Sequence, residues 1–540
     1  MNLGSHLLQR ALRLPPPSTR DLIVEHDLPV PMRDGVDLLA DRWVPKASPE
    51  GMPTVLVRTP YGRRGITGTA MVRPLAERGF QVLFQSARGT FGSGGSFDPL
   101  RREREDGLDT LEWVVKQPWF GESIVLYGAS YLGYVQWAIA DRLPPEVKAM
   151  IPLLSESALT TEFLRKDGLS LETPFSWGVV IAGQERRGAM LRQLLNTKKV
   201  RRALNTLPLK AADVAAIGRR SDYLQDILAY DADAPRWAGI DHRHRLSDVT
   251  VPVSSVGGWH DIFLPGQLRD YRALQEAGRP ARLTIGPWSH LSSGVGAASI
   301  GELVDFGLAH ARGEQPAERA PVRLFVMGEE AWRDFSAWPP PGYPARRFHL
   351  HPDAALSNDP PGESAPDRYR YDPSDPTPSV GGIRMSARSG RVNNTALESR
   401  PDVLTYTTVA LEENVEVVGE VSAEIWFRSS LRCADVFVRL CDVDPRGRSF
   451  NVCDGLLRLT AADQTSCAAV RLWPTAYRFS RGHRIRLQIS SGAFPRYNRN
   501  PGTGEPQETA TALLTADQNV YHDPAHPSVL ILPVRQPELS

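Results

Sequence analysis

The amino-acid sequence predicts an α/β protein with a parallel sheet in its first part, a helical insertion into that part, and an antiparallel β domain at its end. Three observations lead to this fold class. Short apolar runs alternate with helical patterns, a long stretch rich in leucine and arginine interrupts them, and the apolar period becomes two near the end. A parallel sheet needs crossover helices, whereas antiparallel strands with one solvated face alternate in polarity.

Residues 1–155 carry the pattern of a parallel sheet. After a hairpin pattern around Arg33-Asp34-Gly35, each predicted strand is short and apolar, as a strand buried on both faces is. Between the second and third strands, residues 102–119 place apolar side chains at helical spacing, which predicts a crossover helix that stops at Pro118. The predicted strands are Thr54–Arg58, Gln81–Gln85, Ile124–Tyr127 and Lys148–Pro152.

Residues 156–246 interrupt the sheet pattern. Long stretches rich in leucine and arginine replace the short apolar runs, which predicts a helical insertion. The strand pattern then returns, so we expect residues 247–338 to complete the sheet that residues 1–155 begin. The strands predicted for this second part are Pro252–Gly257, Ala281–Ile285 and Val322–Met327.

A proline-rich segment, residues 338–344, ends the α/β region. Its prolines prevent both helix continuation and sheet hydrogen bonding, which indicates a domain boundary. In residues 345–540 the apolar period becomes two, as in the alternation of Val421, Ala423 and Ile425 with their neighbours. This period favours an antiparallel β-sandwich or jelly roll.

Composition and charge narrow the classes of function. The 63 basic and 62 acidic side chains among 540 residues give a net charge of +1, which supplies no field for gathering nucleic acid or an anionic bilayer. We therefore expect neither nucleic acid nor a membrane as a partner. The first residues have no apolar signal sequence, and no run of about 18 apolar residues occurs. These features predict a cytoplasmic protein. They do not determine its oligomeric state, and a homodimer is one possibility.

We expect neither a metal nor a cofactor. The four cysteines contain no C-x-x-C pair and are interpreted as reduced packing residues. The pairs His242/His244 and His349/His351 are interpreted as surface histidines, because no acidic or sulfur ligand is spaced around them. The glycine-rich residues 89–96 lack the lysine-serine ending of a phosphate-binding loop, so we interpret them as a tight loop beside the site.

The strongest chemical signal is a strand that ends in a glycine, continues to a serine, and then turns into a helix. Gly128, Ser130 and the helical run Tyr131–Asp141 have this arrangement, which is the context of a nucleophile elbow. Such a turn holds its serine in a strained backbone conformation and needs small neighbours, which Gly128 and Ala129 provide. The pattern departs from the usual one at Leu132, because the second glycine comes one residue later.

A serine nucleophile needs a base that a carboxylate orients, and α/β-hydrolases supply the three groups in the chain order Ser, Asp, His. Asp261 and His290 each follow a predicted strand in this order, so we expect them at the same sheet edge as Ser130. His260 is the rival base, but it shares a turn with Asp261 and can hardly meet that carboxylate along the required line. Taken alone, Asp261 could cap a helix and His290 could hydrogen-bond a loop.

Motifs at several independent places along the chain carry a resemblance to a known family. In the α/β region these are RTPYG (58–62), EDGLDTLEWVVKQPW (105–119), YGASYLG (127–133), GGWHD (257–261) and GPWSH (286–290). Beyond it they are WPPPG (338–342), ADVFVRLCDVDPRGRSFNVCDGLLRL (434–459) and SSGAFPRYNRNPGTG (490–504). Together they resemble the cocaine esterase-like serine hydrolases, which are related to the X-prolyl dipeptidyl-peptidases.

This resemblance implies a fold and a set of active-site residues. It implies an α/β-hydrolase core, a helical cap inserted into the core, and a C-terminal jelly-roll domain. By motif, Ser130 matches the family's nucleophile, Asp261 its acid and His290 its base. The resemblance also implies an oxyanion hole formed by the Tyr61 hydroxyl and the backbone N–H of Tyr131, a role for Tyr61 that spacing alone does not predict.

Two tryptophans and two departures from the family bear on specificity and local charge. Trp259 and Trp288 each lie within two residues of a predicted triad member, so we expect both in the substrate pocket, with packing under their loops as the alternative.

Leu132 stands where family members that bind a substrate ammonium are acidic, which favours a neutral acyl group. Ser86 replaces the family's usual aspartate and leaves the charge pairing of Arg88 open.

The sequence therefore predicts a metal-independent serine hydrolase, a carboxylesterase that takes a small-molecule ester or amide substrate and forms an acyl-enzyme. Among enzymes, the alternative is an amidase or an X-prolyl dipeptidyl-peptidase. From another class, the chain could be a binding protein on an inactive hydrolase scaffold. The intact set of Ser130, Asp261, His290 and Tyr61 argues against that reading.

Overall fold

The computed structural model describes residues 3–47, 51–159, 170–186, 197–231, 234–386 and 388–536. Its first sheet has ten strands. They are β1 (Leu22–Pro31), β2 (Asp37–Pro45), β3 (Thr54–Thr59), β4 (Gln81–Ser86), β5 (Ile124–Ala129), β6 (Val147–Leu153), β7 (Val253–His260), β8 (Ala281–Ser289), β9 (Val322–Val326) and β10 (Ala331–Phe335).

The sheet has the order β1-β2-β4-β3-β5-β6-β7-β8-β9-β10. Neighbouring strands from β4 to β9 are parallel, and the β1–β2 hairpin and β10 add antiparallel edges. Every strand that the sequence predicts for this region overlaps one of them. The strands are apolar because both faces are covered: in β5, Val125 and Tyr127 pack into one core, whereas Ile124 and Leu126 pack into another.

Eleven helices accompany the described part of this region. They are α1 (Leu3–Ala11), α2 (Gly65–Ala76), α3 (Glu103–Val114), α4 (Tyr131–Trp137), α5 (Glu172–Gly183), α6 (Thr197–Ala203), α7 (Ala212–Ile217), α8 (Asp222–Ala229), α9 (Leu264–Glu276), α10 (Gly294–Glu302) and α11 (Leu308–Ala311). The crossover helix predicted between β4 and β5 is α3. The helix predicted to follow Ser130 is shorter than expected, because α4 ends at Trp137 and a 3-10 turn, Ala140–Arg142, follows it.

Helices α5 to α8 lie between β6 and β7, where the sequence predicts an insertion. Two 3-10 segments, Pro235–Ile240 and Arg243–Asp248, complete its described part before β7 begins. Buried side chains of the insertion, among them Phe175, Leu224 and Trp237, join the same apolar core as Tyr131. The insertion therefore packs over the part of the sheet from which α4 begins.

The chain enters a second, strand-rich region after the prolines that follow β10. Here β12 pairs with β14 in parallel, and the other paired strands are antiparallel, so the predicted antiparallel β domain is confirmed. A short helix, α12 (Thr395–Glu398), lies between strands. The strands are β11 (Ala345–His351), β12 (Ala355–Ser357), β13 (Asp367–Tyr371), β14 (Leu404–Thr407), β15 (Val415–Gly419), β16 (Ser422–Ser429), β17 (Ala434–Val443), β18 (Ser449–Leu459), β19 (Ser466–Arg471), β20 (Thr475–Phe479), β21 (Arg484–Ser490), β22 (Ala516–Tyr521) and β23 (Val529–Pro533).

The strands of the β domain form one sheet of eleven strands and a pair. The main path is β13-β22-β16-β23-β11-β12-β14-β21-β17-β18, with β19 on β16, and β15 pairs with β20. None of the helices in the described ranges has the length and apolar run that a crossing of a bilayer needs.

Candidate active site

Ser130 lies between the end of β5 and the start of α4, in the turn that the sequence predicts as a nucleophile elbow. Its backbone has a φ of 59° and a ψ of −122°, a region that a non-glycine residue occupies only when its surroundings enforce it. The Ser130 N–H donates to the carbonyl oxygen of Leu153 at 2.9 Å. This bond ties the turn to the end of β6 and holds Ser130 at the carboxyl edge of the sheet.

Two glycines allow this turn to form. A Cβ on Gly128 would lie 2.4 Å from the Cβ of Leu132, and a Cβ on Gly133 would lie 2.5 Å from the Cβ of Ser155. Both distances are far inside van der Waals contact, so a side chain at either position would force the backbone to move. The glycine that follows Leu132 thus serves the close approach of α4 to the segment after β6.

The predicted base and acid lie in line with Ser130. His290 directly follows β8, and its Nε2 lies 2.9 Å from the Ser130 Oγ. Its Nδ1 lies 2.6 Å from Oδ2 of Asp261, which directly follows β7 and is fully buried. The other Asp261 oxygen accepts the Phe263 N–H at 2.9 Å. With a carboxylate at Nδ1, the neutral imidazole carries its proton there and turns an unprotonated Nε2 toward Ser130.

The two predicted oxyanion donors, Tyr61 and Tyr131, are neighbours. Their rings meet edge to face with centroids 6.4 Å apart, and the Tyr61 hydroxyl accepts the indole N–H of Trp177 at 2.8 Å. Burial raises the pKa of Tyr61 to about 12, against the opposing effect of the Trp177 bond, so the phenol is protonated at neutral pH. The backbone N–H of Tyr131 is in the first turn of α4, where a helix offers no acceptor.

A buried ion pair below Tyr131 was not predicted from the sequence. The Tyr131 hydroxyl donates to Glu103 at 2.6 Å and accepts the Leu100 N–H at 3.0 Å, and Glu103 pairs with Arg58 at 2.9 Å. Burial, together with the Glu103 carboxylate, raises the pKa of Tyr131. The available signal was the arginine of the RTPYG motif, because a charge on a central strand needs a buried partner.

The structure separates the two tryptophans that the sequence places together in the pocket. Trp259 is 2% exposed, and its indole N–H donates to the carbonyl oxygen of Phe325 at 2.7 Å, which favours the packing alternative. Trp288 is half-buried and borders an open hollow of about 470 Å³ together with Leu291 and several serines. None of the residues that line this hollow is Ser130, Asp261, His290 or Tyr61, so a place for Trp288 in the substrate pocket stays a prediction.

An aromatic cluster from the insertion was also not predicted. The Trp177 ring stacks on Tyr131 with centroids 5.9 Å apart, and the Tyr223 ring meets Trp177 edge to face at 5.0 Å. Sequence reasoning missed both residues because the directions of side chains on short helices of an insertion depend on how the helices pack. The cluster places an apolar wall beside Tyr61.

Two histidines that the sequence analysis weighed are buried outside the Ser130–His290–Asp261 line. Burial lowers the pKa of His260 to about 4, which leaves this rival base neutral in the interior. The interpretation of His242 as a surface histidine is wrong, because it is 2% exposed and its Nε2 lies 3.1 Å from the Tyr134 hydroxyl. Burial lowers the pKa of His242 to about 4 as well.

Within the described ranges, no group of three or more His, Cys, Asp or Glu side chains is placed as metal ligands would be.

The charge pairing of Arg88, which the sequence left open, is complete without an aspartate at Ser86. Arg88 pairs with Asp106 and with Asp34 at 2.9 Å, and the Ser86 hydroxyl accepts from Arg63 at 2.6 Å. Both aspartates lie elsewhere in the sequence, so only folding brings them to Arg88.

The glycine-rich loop lies beside the candidate oxyanion donor. A Cβ on Gly62 would lie 2.8 Å from the ring of Phe91, and Gly62 has a φ of +92°, so only glycine fits there easily. Phe91 belongs to the loop of residues 89–96, whose interpretation as a loop beside the site agrees with this contact. The loop therefore packs against the backbone that carries Tyr61.

The arrangement can move a proton from a serine hydroxyl to a buried imidazole and offer hydrogen-bond donors to a developing oxyanion. The Ser130 Oγ, the His290 Nε2 and the Asp261 carboxylate have the connectivity of a hydrolytic triad.

The chain matches known families in both of its parts. Residues 34–292 match the family described as X-Pro dipeptidyl-peptidase (S15 family), and residues 317–531 match the X-Pro dipeptidyl-peptidase C-terminal non-catalytic domain. The chain is 32% identical to the cocaine esterase of Rhodococcus sp. (strain MB1 Bresler), in an alignment that covers 95% of this chain and 98% of that protein.

Two solved structures show the same fold. An α-amino acid ester hydrolase superposes with a TM-score of 0.83 at 23% identity, covering 97% of this chain and 98% of its own. An aminopeptidase from the marine sediment archaeon Thaumarchaeota archaeon superposes with a TM-score of 0.82 at 22% identity, covering 96% and 97%. At these identities the likeness extends to the fold, which is an α/β-hydrolase core with a C-terminal β domain.

Proposed function

The chain belongs to the cocaine esterase-like serine hydrolases, a family related to the X-Pro dipeptidyl-peptidases, and on this basis we propose that it cleaves carboxylic esters through an acyl-enzyme intermediate. The observation that carries the proposal is the line of hydrogen bonds in which His290 lies 2.9 Å from the Ser130 Oγ and 2.6 Å from Asp261. Serine, base and orienting carboxylate are the parts that nucleophilic acyl transfer requires.

In the first half-reaction, His290 Nε2 takes the proton of Ser130 while the Oγ bonds to the carbonyl carbon of the ester. The carbonyl oxygen becomes an oxyanion, and Asp261 stabilises the imidazolium that forms. His290 then gives the proton to the alcohol oxygen as the carbon–oxygen bond breaks, so the alcohol leaves and the acyl group stays on Ser130. In the second half-reaction, a water molecule gives a proton to His290 and attacks the acyl-enzyme, and the carboxylic acid leaves as Ser130 regains its proton.

The Tyr61 hydroxyl and the Tyr131 N–H are proposed as the oxyanion donors. A tyrosine with a raised pKa keeps the proton that it must donate, and the first N–H groups of a helix point along the favourable end of its dipole. The ion pair of Glu103 and Arg58 holds the Tyr131 side chain, and we propose that it fixes the first turn of α4 against Ser130.

The family resemblance favours a neutral acyl group. Leu132, which is 2% exposed, stands where family members that bind a substrate ammonium are acidic. The alternative is an amidase or X-prolyl dipeptidyl-peptidase, which is consistent with the match of residues 34–292 to the X-Pro dipeptidyl-peptidase family. An inactive binding protein is disfavoured, because a site without turnover would not need a strained serine aligned with a buried acid and base.

We also propose a division of the chain and a cellular location. The core comprises residues 1–155 and 247–338, the cap residues 156–246, and a jelly-roll domain residues 345–540. The four cysteines are free thiols, which suits a reducing compartment and supports a cytoplasmic location. The substrate is a small molecule, nucleic acid and membrane are not proposed as partners, and a homodimer is a proposal that mass measurement in solution would decide.

The proposal is tested by labelling the purified protein with a fluorophosphonate and mapping the modified peptide by mass spectrometry. We expect one label on Ser130, and we expect Ser130→Ala to lose both the label and about 10⁶-fold of kcat towards a nitrophenyl ester. The matched control is Ser254→Ala, a change of a buried serine that bonds to Glu302 and should keep its label and activity. A label on another residue, or an active Ser130→Ala protein, would contradict the proposed mechanism.

A further inference from the structure

A residue of the insertion bonds directly to the candidate oxyanion donor. The indole N–H of Trp177, in α5, donates to the Tyr61 hydroxyl oxygen at 2.8 Å. Trp177 is 7% exposed, so little water competes for this bond. A tyrosine hydroxyl has one proton to donate and lone pairs that accept, and the indole occupies the accepting side.

This bond determines where the Tyr61 proton can point. Among the described residues, none accepts a hydrogen bond from the Tyr61 O–H. With the indole N–H on one side of the oxygen, the O–H must turn away from Trp177. Tyr61 lies against the ring of Tyr131, whose backbone N–H is the other proposed oxyanion donor, so the Tyr61 proton that the Trp177 bond leaves free is available to an oxyanion formed at Ser130.

The helix that carries Trp177 is fixed at both of its ends. At its start, the Leu171 N–H donates to the carbonyl oxygen of Arg496 at 2.9 Å, and Arg384 donates to Glu172 at 2.7 Å, so the β domain anchors the first turn. Just after its end, the Gln184 side-chain amide donates to the carbonyl oxygen of Pro60 at 2.9 Å. Pro60 directly precedes Tyr61, so the helix spans from the β domain to the backbone of the oxyanion donor.

Packing of the rings holds the indole in its plane. Trp177 stacks on Tyr131 at an interplanar angle of 26°. The ring of Tyr223 meets the Trp177 ring edge to face, at an interplanar angle of 77°. Aromatic pairs at such separations contribute beyond their buried area. The indole N–H is therefore directed at Tyr61 before a substrate arrives, which is what preorganised stabilisation of an oxyanion requires.

We propose that Trp177 is a positioning residue that orients the Tyr61 O–H toward the oxyanion. The inference rests on the proposed function, since it assigns a supporting residue to the same site. The indole N–H of Trp177 acts only through Tyr61, so it has no effect on turnover when the Tyr61 hydroxyl is absent. Because α5 is bonded to Arg384 and Arg496, the β domain helps to hold the helix that carries Trp177.

The test is a cycle of four proteins: the wild type, Trp177→Phe, Tyr61→Phe and the double variant. Trp177→Phe keeps an aromatic ring but removes the N–H. We expect Tyr61→Phe to lower kcat by about 10²- to 10³-fold and Trp177→Phe to lower kcat by about 2- to 10-fold with little change in KM, the size of one hydrogen bond. In the Tyr61→Phe background, Trp177→Phe should have no further effect on kcat.

The matched control is Trp237→Phe. Trp237 lies in the same insertion, is 5% exposed, and its indole nitrogen has no hydrogen-bond partner within the described structure, so kcat should stay unchanged. An equal loss in both backgrounds would overturn the inference, because the indole N–H would then act independently of Tyr61, and an unchanged kcat in the wild-type background would also overturn it. Fluorophosphonate labelling of Ser130 in all variants separates these outcomes from failure of the proposed function, and thermal unfolding confirms that each variant is folded.

Discussion

Gly133 lies so close to Ser155 that a Cβ on the glycine would come within 2.5 Å of the serine Cβ. Gly133 is in the first half of α4, and Ser155 follows β6. This contact locks the start of the helix, and with it Ser130 and the Tyr131 N–H, against the neighbouring strand. Gly133, which lies one residue later than the second glycine of the usual elbow pattern, permits this contact.

Replacing Gly133 with alanine should therefore damage both the fold and the site. The added methyl group must move α4 or the segment after β6, which costs about 1–3 kcal/mol of unfolding free energy and displaces Ser130 from His290. We expect a lower Tm and slower fluorophosphonate labelling. Gly301→Ala is the control, because a Cβ on that glycine of α10 would meet no atom within 4 Å. Equal Tm values for the Gly133→Ala protein and the wild type would show that the contact relaxes freely.

Replacing Asp261 with asparagine tests the tautomer of His290. The asparagine amide would present N–H groups to Nδ1, so the imidazole proton would move to Nε2 and block acceptance of the Ser130 proton. We expect kcat to fall by about 10⁴-fold while the protein stays folded. Asp213→Asn, a change of an equally buried aspartate that accepts from Ser221 and Gln225, should keep its kcat. An Asp261→Asn enzyme within tenfold of the wild type would remove Asp261 from the mechanism.

The aromatic cluster beside Tyr61 predicts a preference for aromatic acyl groups. An aromatic acyl group would make more contacts with the rings of Trp177 and Tyr223 than a small acetyl group would. We expect a nitrophenyl benzoate to have a kcat/KM about 10- to 100-fold above that of the acetate, since apolar pockets discriminate only modestly. A dipeptidyl X-Pro anilide should be cleaved more slowly than either ester. Faster cleavage of the anilide would replace the esterase assignment with a peptidase and leave the triad in place.

The buried His242 predicts a loss of stability in acid. Its pKa is lowered to about 4 by burial, whereas an unfolded chain has the ordinary value of about 6.5. Between these values the unfolded state binds more protons than the folded state, so the free energy of unfolding falls as pH falls from about 6.5 to 4, by up to about 3 kcal/mol. Above about pH 6.5 this contribution to stability is complete.

Thermal unfolding of the wild type and of His242→Gln at pH 7 and pH 4.5 checks this expectation. The variant keeps a polar group for Tyr134 but does not titrate, so the difference in Tm between the two proteins should shrink in acid. His244→Gln changes the exposed partner of the same H-x-H pair and should leave the Tm at pH 7 close to that of the wild type. A constant difference for His242→Gln would mean that His242 is not held neutral.

Local signals predicted the sheet and the candidate site. Each strand of the parallel region is apolar because both of its faces are covered, and that property is written in consecutive residues such as Ile124 to Tyr127. The elbow at Ser130 was readable for a similar reason, since a strand, a turn and a helix follow one another within ten residues. Asp261 and His290 could be placed because parallel strands end at the same edge.

The amino-acid sequence was enough to predict the fold class, the chain order of Ser130, Asp261 and His290, and the presence of an insertion. Which side chains are enclosed, and what they contact, follows from the packing of the folded chain. Trp259 and Trp288 each precede a predicted triad member by two residues. The indole N–H of Trp259 donates to a carbonyl oxygen of β9, whereas Trp288 borders an open hollow. His242 is buried because Tyr134 supplies a partner, and Trp177 reaches Tyr61 from a position 116 residues away. Such contacts depend on packing between distant segments, which residue periodicity does not encode.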